Sequence, residues 1–417
     1  MLETTNRQGL RIATGCSKTT PINSLAALSG EGPLSLKRVF FTKKRIALHI
    51  YKNDLIAQQL QSLNINSLKA ESQYTYIERI FIKNYSEFQI LYLQAKSCNM
   101  LNFTIKEQII GSTLKKKITS PIVLKSLTQN MIKTSYHLYE QWFTDASKSG
   151  HKCGLGVFDA TSEESISLAL AHEVSITSAE LLAIRVALEQ VRGNGIRKVV
   201  IFTDSQAACK ILKRDLKNKI FDKVTLDICT LATQKQATIQ WLPSHIGITG
   251  NEKADELAKL GLECPAILEN KLRLDDAIRN YKKDFINTTN KWYQDIATEN
   301  HKGLKFFKFQ NNFDLKPWYW NSEMNNKQIR TANRLLSGHD YSPYYLGLFR
   351  IRDTKLCELC SENFTTEHAL FHCIQYNHVR NHYDWERYNN LFELINNFDE
   401  DKIKEVLGFL EKARLTI

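Results

Sequence analysis

The sequence predicts an α/β fold in which helices flank a mixed β-sheet. Three observations in the middle of the chain support this prediction. Tyr139 to Thr144 is rich in aromatic and β-favouring residues and reads as a strand that ends at Asp145. Val199 to Phe202 is short and wholly apolar, which is typical of a strand covered on both faces. Between them, helical spacing extends from Ser178 to about Arg192 and stops at Gly193-Asn194-Gly195.

The order of the predicted elements places two aspartates together. Gly154 to Phe158 and Ser165 to Val174 read as two further strands, joined by the acidic turn from Asp159 to Glu164. The first and last of the four strands each finish on Thr-Asp, at Asp145 and Asp204. If these two strands are neighbours, their carboxylates lie side by side at one edge of the sheet.

Glu180 has two interpretations. Thr177, three residues before it, makes a capping box with it. Glu180 also extends the apolar stripe of the helix, and a buried carboxylate needs a partner because an unpaired buried charge is costly. The two strand-end aspartates favour the second interpretation. The apolar stripe comprises Ile184, Ala187, Leu188 and Val191.

Converging carboxylates predict a metal site. They repel each other, and their pKa values rise unless a cation balances them. Oxygen ligands suit a hard cation, so Mg²⁺ or Mn²⁺ is expected. Two such ions roughly 3.5–4 Å apart can activate a water and stabilise the leaving oxygen of a phosphodiester. The residues therefore outline a nuclease site.

Five motifs in order carry a family resemblance: 143–147 (FTDAS), 178–181 (SAEL), 202–207 (FTDSQA), 241–247 (WLPSHIG) and 250–258 (GNEKADELA). They resemble a ribonuclease H domain, in the form carried by non-LTR (LINE-like) retrotransposon polyproteins of the Jockey and I groups. The resemblance implies a ribonuclease H-like mixed five-stranded sheet with flanking helices. It also implies a metal-dependent endonuclease that cleaves the RNA strand of RNA–DNA hybrids to 3′-hydroxyl and 5′-phosphate ends.

By the same resemblance, the ligands of two magnesium ions are Asp145, Glu180, Asp204 and Asp255. His245, on the loop after the last strand, would shuttle protons or help product release; the alternative is a solvated surface histidine. The separate basic helix of many cellular ribonucleases H is not evident. Six basic residues replace it in part or form only a solvated face: Lys210, Lys213, Arg214, Lys217, Lys219 and Lys223.

The N-terminal region is predicted to be helical. Thr20-Pro21 suits a helix start, and Leu34 to Tyr51 reads as an amphipathic basic helix. Residues 6–15 and 18–21 resemble the end of the reverse-transcriptase thumb of the same retroelements. We expect the polymerase palm to lie upstream of this chain, so the chain does not polymerise DNA. Asp275-Asp276 is the only adjacent pair of aspartates, and it reads as charge at the start of a helix.

The C-terminal region contains a Cys-x2-Cys-x7-His-x4-Cys pattern, formed by Cys357, Cys360, His368 and Cys373. Three thiolates and an imidazole suit a closed structural Zn²⁺ site. His372 is an alternative to Cys373, because it lies one helical turn after His368. Residues 330–339 together with this pattern resemble the end of the same retroelements, where the zinc motif is associated with nucleic-acid binding. Aromatic residues between 306 and 320 suit core packing more than base stacking.

Composition agrees with a nucleic-acid partner. The 417-residue chain carries a net charge of +12, and a basic chain favours polyanions. It has no apolar run near the ~18 residues of a membrane span, and residues 1–7 lack the apolar core of a signal peptide, so no membrane partner is expected. Six scattered cysteines suit the reducing cytoplasm or nucleus. They are Cys16, Cys98, Cys153, Cys209, Cys229 and Cys264.

These patterns divide the chain into five segments: a thumb-like remnant (1–52), a connection (53–135), the ribonuclease H domain (136–264), a helical connector (265–345) and a zinc-binding module (346–417). Two alternatives remain open at this stage. The chain is a non-catalytic nucleic-acid-binding remnant of a retroelement reverse transcriptase, or it contributes binding modules to a polymerase subunit that it lacks. The sequence does not indicate an oligomeric state.

Overall fold

The computed structural model describes residues 2–63, 74–96, 101–109, 119–191 and 198–416. Cys98 and the helix end predicted at Arg192-Gly193-Asn194-Gly195 lie outside these residues. The chain forms two compact units, Met1–Phe41 with Tyr281–Ile417, and Thr42–Asn280. We call these the terminal unit and the sheet unit. The five predicted segments divide the chain differently and stay predictions.

The sheet unit is built on a seven-stranded mixed sheet of order β2-β8-β6-β3-β4-β5-β9. β2, β8, β6 and β3 run parallel, whereas β4 is antiparallel to both its neighbours. The prediction of five strands holds for the centre of this sheet and misses a short strand at each edge. The described strands are β1 Gln94–Ala95, β2 Thr104–Lys106, β3 Glu140–Ser149, β4 Lys152–Asp159, β5 Ser165–Leu170, β6 Val199–Thr203, β7 Phe221–Asp222, β8 Thr238–Trp241 and β9 Ile267–Leu268.

Helices surround the sheet and make up most of the terminal unit. The described α-helices are α1 Leu2–Thr14, α2 Ile22–Ser29, α3 Leu34–Lys52, α4 Leu55–Gln61, α5 Tyr76–Lys83, α6 Tyr85–Gln89, α7 Pro121–Ser135, α8 Ile176–Gln190, α9 Gln206–Asn218, α10 Lys223–Gln234, α11 Thr249–Gly261, α12 Leu274–Thr298, α13 Leu304–Phe309, α14 Asn326–Ser337, α15 Pro343–Leu348, α16 Asn377–Arg380, α17 Leu391–Leu394 and α18 Glu400–Lys412. Short 3₁₀ or π turns lie at His368–His372, Ile374–Tyr376 and Asn396–Phe398. No helix within the described ranges combines the length and the apolar character needed to cross a membrane.

Two local predictions at the site are corrected by the structure. β3 does not end at Asp145, because the strand continues to Ser149 while it pairs with β4. Helix α8 begins earlier than predicted, and Ser175 caps it by accepting a hydrogen bond from the Ser178 amide at 3.1 Å. Thr177 therefore lies inside the helix, and the capping box with Glu180 is not formed.

Glycines in β4 allow α11 to lie directly on the sheet. A Cβ atom at Gly154 would collide with the Ala258 carbonyl, and one at Gly156 would collide with the Ala254 carbonyl. Only residues without a side chain permit a helix backbone to approach this closely. The close approach brings the helix that carries Asp255 over β3 and β4.

Helix α7 and strand β2 complete the sheet unit beside β8. Leu124, Met131 and Tyr136 share one buried cluster with Phe143 and Phe202 of the central strands. The Tyr136 hydroxyl donates to Oε1 of the buried Gln240 at 2.8 Å. Part of the predicted connection is therefore a structural part of the sheet unit.

The terminal unit joins the two ends of the chain around one apolar core. Residues of α2, α13, α14 and α18 contribute to this core, and so does Phe306 from the aromatic stretch, in agreement with the predicted packing role. Asn333 Nδ2 donates to the Thr14 carbonyl at 2.9 Å, and Arg334 Nε donates to the Gly15 carbonyl at 2.6 Å. The N-terminal segment is thus held by helix α14.

Candidate active site and zinc cluster

Three carboxylates from three elements meet at one point of the sheet unit. Asp145 lies in β3, Glu180 lies in the second turn of α8, and Asp204 follows β6 directly. β3 and β6 are parallel neighbours with Thr144 opposite Thr203, so the next residues of both strands are adjacent. One carboxylate oxygen from each of the three residues lies within 4.8 Å of the other two.

Burial makes this cluster electrostatically unfavourable without a cation. Asp145 is 6% exposed and Glu180 is 4% exposed. Burial and the nearby Asp204 raise the pKa of Asp145 to about 7. Burial, followed by the charges of Asp145 and Asp204, raises the pKa of Glu180 well above its usual value. Within the described structure, Glu180 Oε2 is buried and has no hydrogen-bond partner.

These observations fit a hard divalent cation. An oxygen-only donor set is what magnesium and manganese prefer. A cation would give the orphaned Glu180 oxygen a partner and would compensate the repulsion that raises both pKa values. The low exposure of Glu180 confirms the predicted inward position of its side chain. The side chain faces inward toward Asp145 and Asp204.

The fourth predicted ligand, Asp255, lies near the cluster but outside the three-carboxylate group. Its charge contributes to raising the pKa of Asp145. Asp255 Oδ2 accepts from Lys259 Nζ at 2.6 Å, one turn further along α11. The structure therefore gives Asp255 an internal cationic partner on its own helix.

His245 lies in the turn between β8 and α11 and is exposed. Its backbone is left-handed, with φ of 57°, which is uncommon for a residue with a side chain. Two residues later, the Gly247 amide donates to Glu252 Oε1 at 3.1 Å and so ties this turn to the first turn of α11. We call residues 244–248 the His245 loop. Glu252 lies in the motif at 250–258, but its spacing alone did not predict this hydrogen bond to the loop.

The family model for RNase H matches residues 138–263. Residues 138–263 are an RNase H domain. The matched range contains all four predicted carboxylates and His245. An RNase H domain supports nucleic-acid binding and, in general, hydrolysis of RNA in RNA–DNA hybrids. The domain accounts for the middle of the chain and leaves α7, β2 and the terminal unit outside the match.

The basic segment of the RNase H domain is partly neutralised. Lys213 pairs with Glu107 at 3.2 Å, Arg214 with Asp215 at 2.9 Å, and Lys223 with Asp227 at 2.5 Å. Half of the six basic residues of this segment therefore already have carboxylate partners. This arrangement favours the alternative of a solvated face.

A second cluster lies in the terminal unit. Ligand atoms of Cys357, Cys360, His368 and Cys373 all lie within 4.8 Å of one another. Cys373 Sγ is 3.7 Å from Cys357 Sγ and 3.9 Å from Cys360 Sγ. Zn–S bonds of ~2.3 Å in a tetrahedral site span sulfur separations of about this size. His372 is exposed and is not in this cluster, so the structure favours Cys373 over the alternative ligand.

The surroundings of the cluster suit a metal. His368 Nδ1 lies 2.9 Å from Glu362 Oε2, while His368 Nε2 is buried and has no hydrogen-bond partner within the described structure. This is the arrangement in which a carboxylate orients a metal-binding imidazole. Burial raises the pKa of Cys357, but backbone amides of Cys360 and Leu359 and the His368 side chain outweigh it and lower the pKa to about 6. The thiolate form of Cys357 is therefore favoured, whereas burial and the neighbouring Cys357 and Cys360 raise the pKa of Cys373 to about 11.

Proposed function

We propose that this chain is a metal-dependent endoribonuclease that hydrolyses the RNA strand of RNA–DNA hybrids. The observation that carries the proposal is the buried group of Asp145, Glu180 and Asp204 inside an RNase H domain. A structural role does not account for it, because three converging carboxylates with an orphaned oxygen destabilise a fold that holds no cation.

Asp145, Glu180, Asp204 and Asp255 are the proposed ligands of two magnesium or manganese ions. Bound ions of this kind supply an activated water and stabilise the leaving oxygen of a phosphodiester. The rigid β3–β6 pair holds Asp145 and Asp204, and the buried start of α8 holds Glu180, so these ligands need little rearrangement. Lys259 occupies Oδ2 of Asp255, so a metal ion would bind the other carboxylate oxygen or displace the ammonium group from Oδ2.

His245 is proposed to accept or deliver a proton during attack or product release. Its exposure lets the imidazole reach solvent and substrate, and the Gly247–Glu252 hydrogen bond restricts the loop that carries it. Water adds to the phosphorus atom and the P–O3′ bond breaks. The upstream RNA piece therefore leaves with a 3′-hydroxyl, and the downstream piece keeps a 5′-phosphate.

We also propose that the chain derives from the C-terminal part of a non-LTR retrotransposon reverse transcriptase, with a structural zinc ion on Cys357, Cys360, His368 and Cys373. Support for the origin comes from the two segments that resemble these elements outside the nuclease. Thr14 and Gly15 of the first contact Asn333 and Arg334 of the second. The cluster and its orphaned His368 Nε2 support the zinc.

The test is cleavage of a hybrid that carries labelled RNA, with magnesium and with EDTA. We expect magnesium-dependent cutting by the wild type and by Asp227→Asn, a control that removes a carboxylate on the outside of α10. Asp204→Asn should abolish cutting and keep hybrid binding. A folded, hybrid-binding wild type that does not cut in magnesium or manganese would contradict the proposal and favour the non-catalytic remnant.

A further inference from the structure

Helix α7 lies outside the range that matches the RNase H family, but it supports the loop that carries His245. Leu124 and Met131 of α7 are buried in the same cluster as Ile246 and Ile248, which both belong to this loop. The buried Thr128 hydroxyl donates to the Leu124 carbonyl at 2.7 Å, which keeps this face of the helix apolar. The loop therefore rests on a helix that the family comparison does not include.

Lys125 follows Leu124 and lies over the loop. A Cβ atom at Gly247 would lie 2.8 Å from Lys125 Nζ, 3.4 Å from its Cε and 3.8 Å from its Cδ. Gly247 has φ of +75° and no side chain, so the outer end of the lysine can lie flat against the loop backbone. The ammonium of the half-buried Lys125 thus lies beside Gly247, which follows His245 by two residues.

Among the residues that the structure describes, this ammonium has no carboxylate partner. Within the described ranges, no acidic oxygen lies within ion-pair distance of Lys125 Nζ. Glu252 of α11, which is hydrogen-bonded to this loop, accepts from the Gly247 amide. Lys213, Arg214 and Lys223 on the other basic segment differ from it, since each of them has a carboxylate partner.

We infer that Lys125 binds a backbone phosphate of the nucleic acid beside the His245 loop, an inference that rests on the proposed function for its choice of substrate. A lysine ammonium acts as a point charge toward phosphate and carries no sequence information. Helix α7 thus supplies, from outside the RNase H match, a basic contact that α9 supplies only in part. Lys125 is a positioning residue for the substrate strand.

The experiment measures hybrid binding against salt concentration in an Asp204→Asn background, which removes cleavage. Loss of one phosphate contact lowers the slope of log K against log salt by about 0.7–0.9. We expect this decrease for Lys125→Met and no decrease for Lys125→Arg. Lys133→Met is the matched control, since Lys133 is an exposed lysine on the same helix. In the active chain, Lys125→Met should raise KM several-fold and change kcat little.

Each outcome has a distinct meaning. An unchanged salt slope for a folded Lys125→Met chain overturns the inference, and so does an equal decrease for Lys133→Met. A lower thermal midpoint with an unchanged slope shows that Lys125 only stabilises the loop and also overturns it. If the wild type binds hybrid without cutting, the proposed function fails, while the slope of Lys125→Met still decides the phosphate contact.

Discussion

Asp255 Oδ2 and Lys259 Nζ lie 2.6 Å apart, one helical turn from each other on α11. The carboxylate expected to complete the metal site is therefore held by the chain's own ammonium group. This pair also raises the pKa of Lys259, mainly through the hydrogen bond to Asp255, with a further contribution from the charge of Asp145. On the proposed ligand assignment, a metal ion that binds Oδ2 of Asp255 would compete with Lys259 for that oxygen.

Replacement of Lys259 should strengthen metal binding. Exposed ion pairs contribute little because solvent screens them, so Lys259→Met should lower the magnesium concentration for half-maximal cleavage by a few-fold at most. The measurement is a magnesium titration of hybrid cleavage. Lys217→Met, on the exposed face of α9, is the control. An unchanged or higher magnesium requirement would show that Lys259 does not compete.

The metal-free chain should lose stability as pH rises toward neutrality. The pKa of Asp145 rises from 3.8 to about 7 on folding, so its favourable contribution is complete below about pH 4 and is lost as pH rises through about 7. With EDTA, Asp145→Asn should therefore have a higher thermal midpoint than the wild type at pH 8, and a smaller advantage at pH 5. Magnesium should raise the midpoint of the wild type alone. A difference that is independent of pH would contradict this account.

The terminal unit should bind one zinc ion through Cys373 and not His372. Cys373→Ser should lose zinc, because it removes a thiolate from the buried cluster, whereas His372→Gln should retain it, because that side chain is exposed. The measurement is the zinc content of each purified variant, determined by elemental mass spectrometry. Zinc loss in His372→Gln with retention in Cys373→Ser would reverse the ligand assignment.

Glu362 should tune that zinc site without binding the metal. It accepts from His368 Nδ1, and loss of such a partner typically weakens metal affinity about 10–100-fold. Glu362→Gln should therefore release zinc to a competing chelator at a lower chelator concentration than the wild type. Glu358→Gln is the control, because Glu358 lies in the same loop and makes no hydrogen bond to His368 within the described residues. This variant should behave like the wild type. Equal zinc retention by both variants would remove Glu362 from this role.

Tyr136 should stabilise the RNase H domain although it precedes the matched range. Tyr136→Phe leaves the buried Gln240 Oε1 without its donor, which costs about 1–3 kcal/mol. Unfolding in denaturant is monitored by the loss of hybrid cleavage, a signal that comes from the sheet unit itself. The control is Tyr139→Phe, because the hydroxyl of this nearby tyrosine has no hydrogen-bond partner among the described residues. Equal midpoints for the two variants would show that the Tyr136–Gln240 hydrogen bond contributes little.

Much of the site was readable from local sequence. The wholly apolar Val199–Phe202 run became β6, and the stripe that includes Glu180 became the buried face of α8. The Cys/His pattern also located the members of the second cluster. These features depend on residues a few positions apart, so their spacing carries the information.

Tertiary structure decided what depends on distant residues. β3 continues past Asp145 because β4 pairs with it. The edge strand β2 forms because it pairs with β8, with Ile105 opposite Ile239. The position of Lys125 beside the His245 loop is likewise a product of packing and side-chain orientation. The sequence by itself determined the chemical groups of the site and the elements that carry them. Only folding decided which groups are balanced by a neighbour and which remain for a ligand, because charge compensation acts through space.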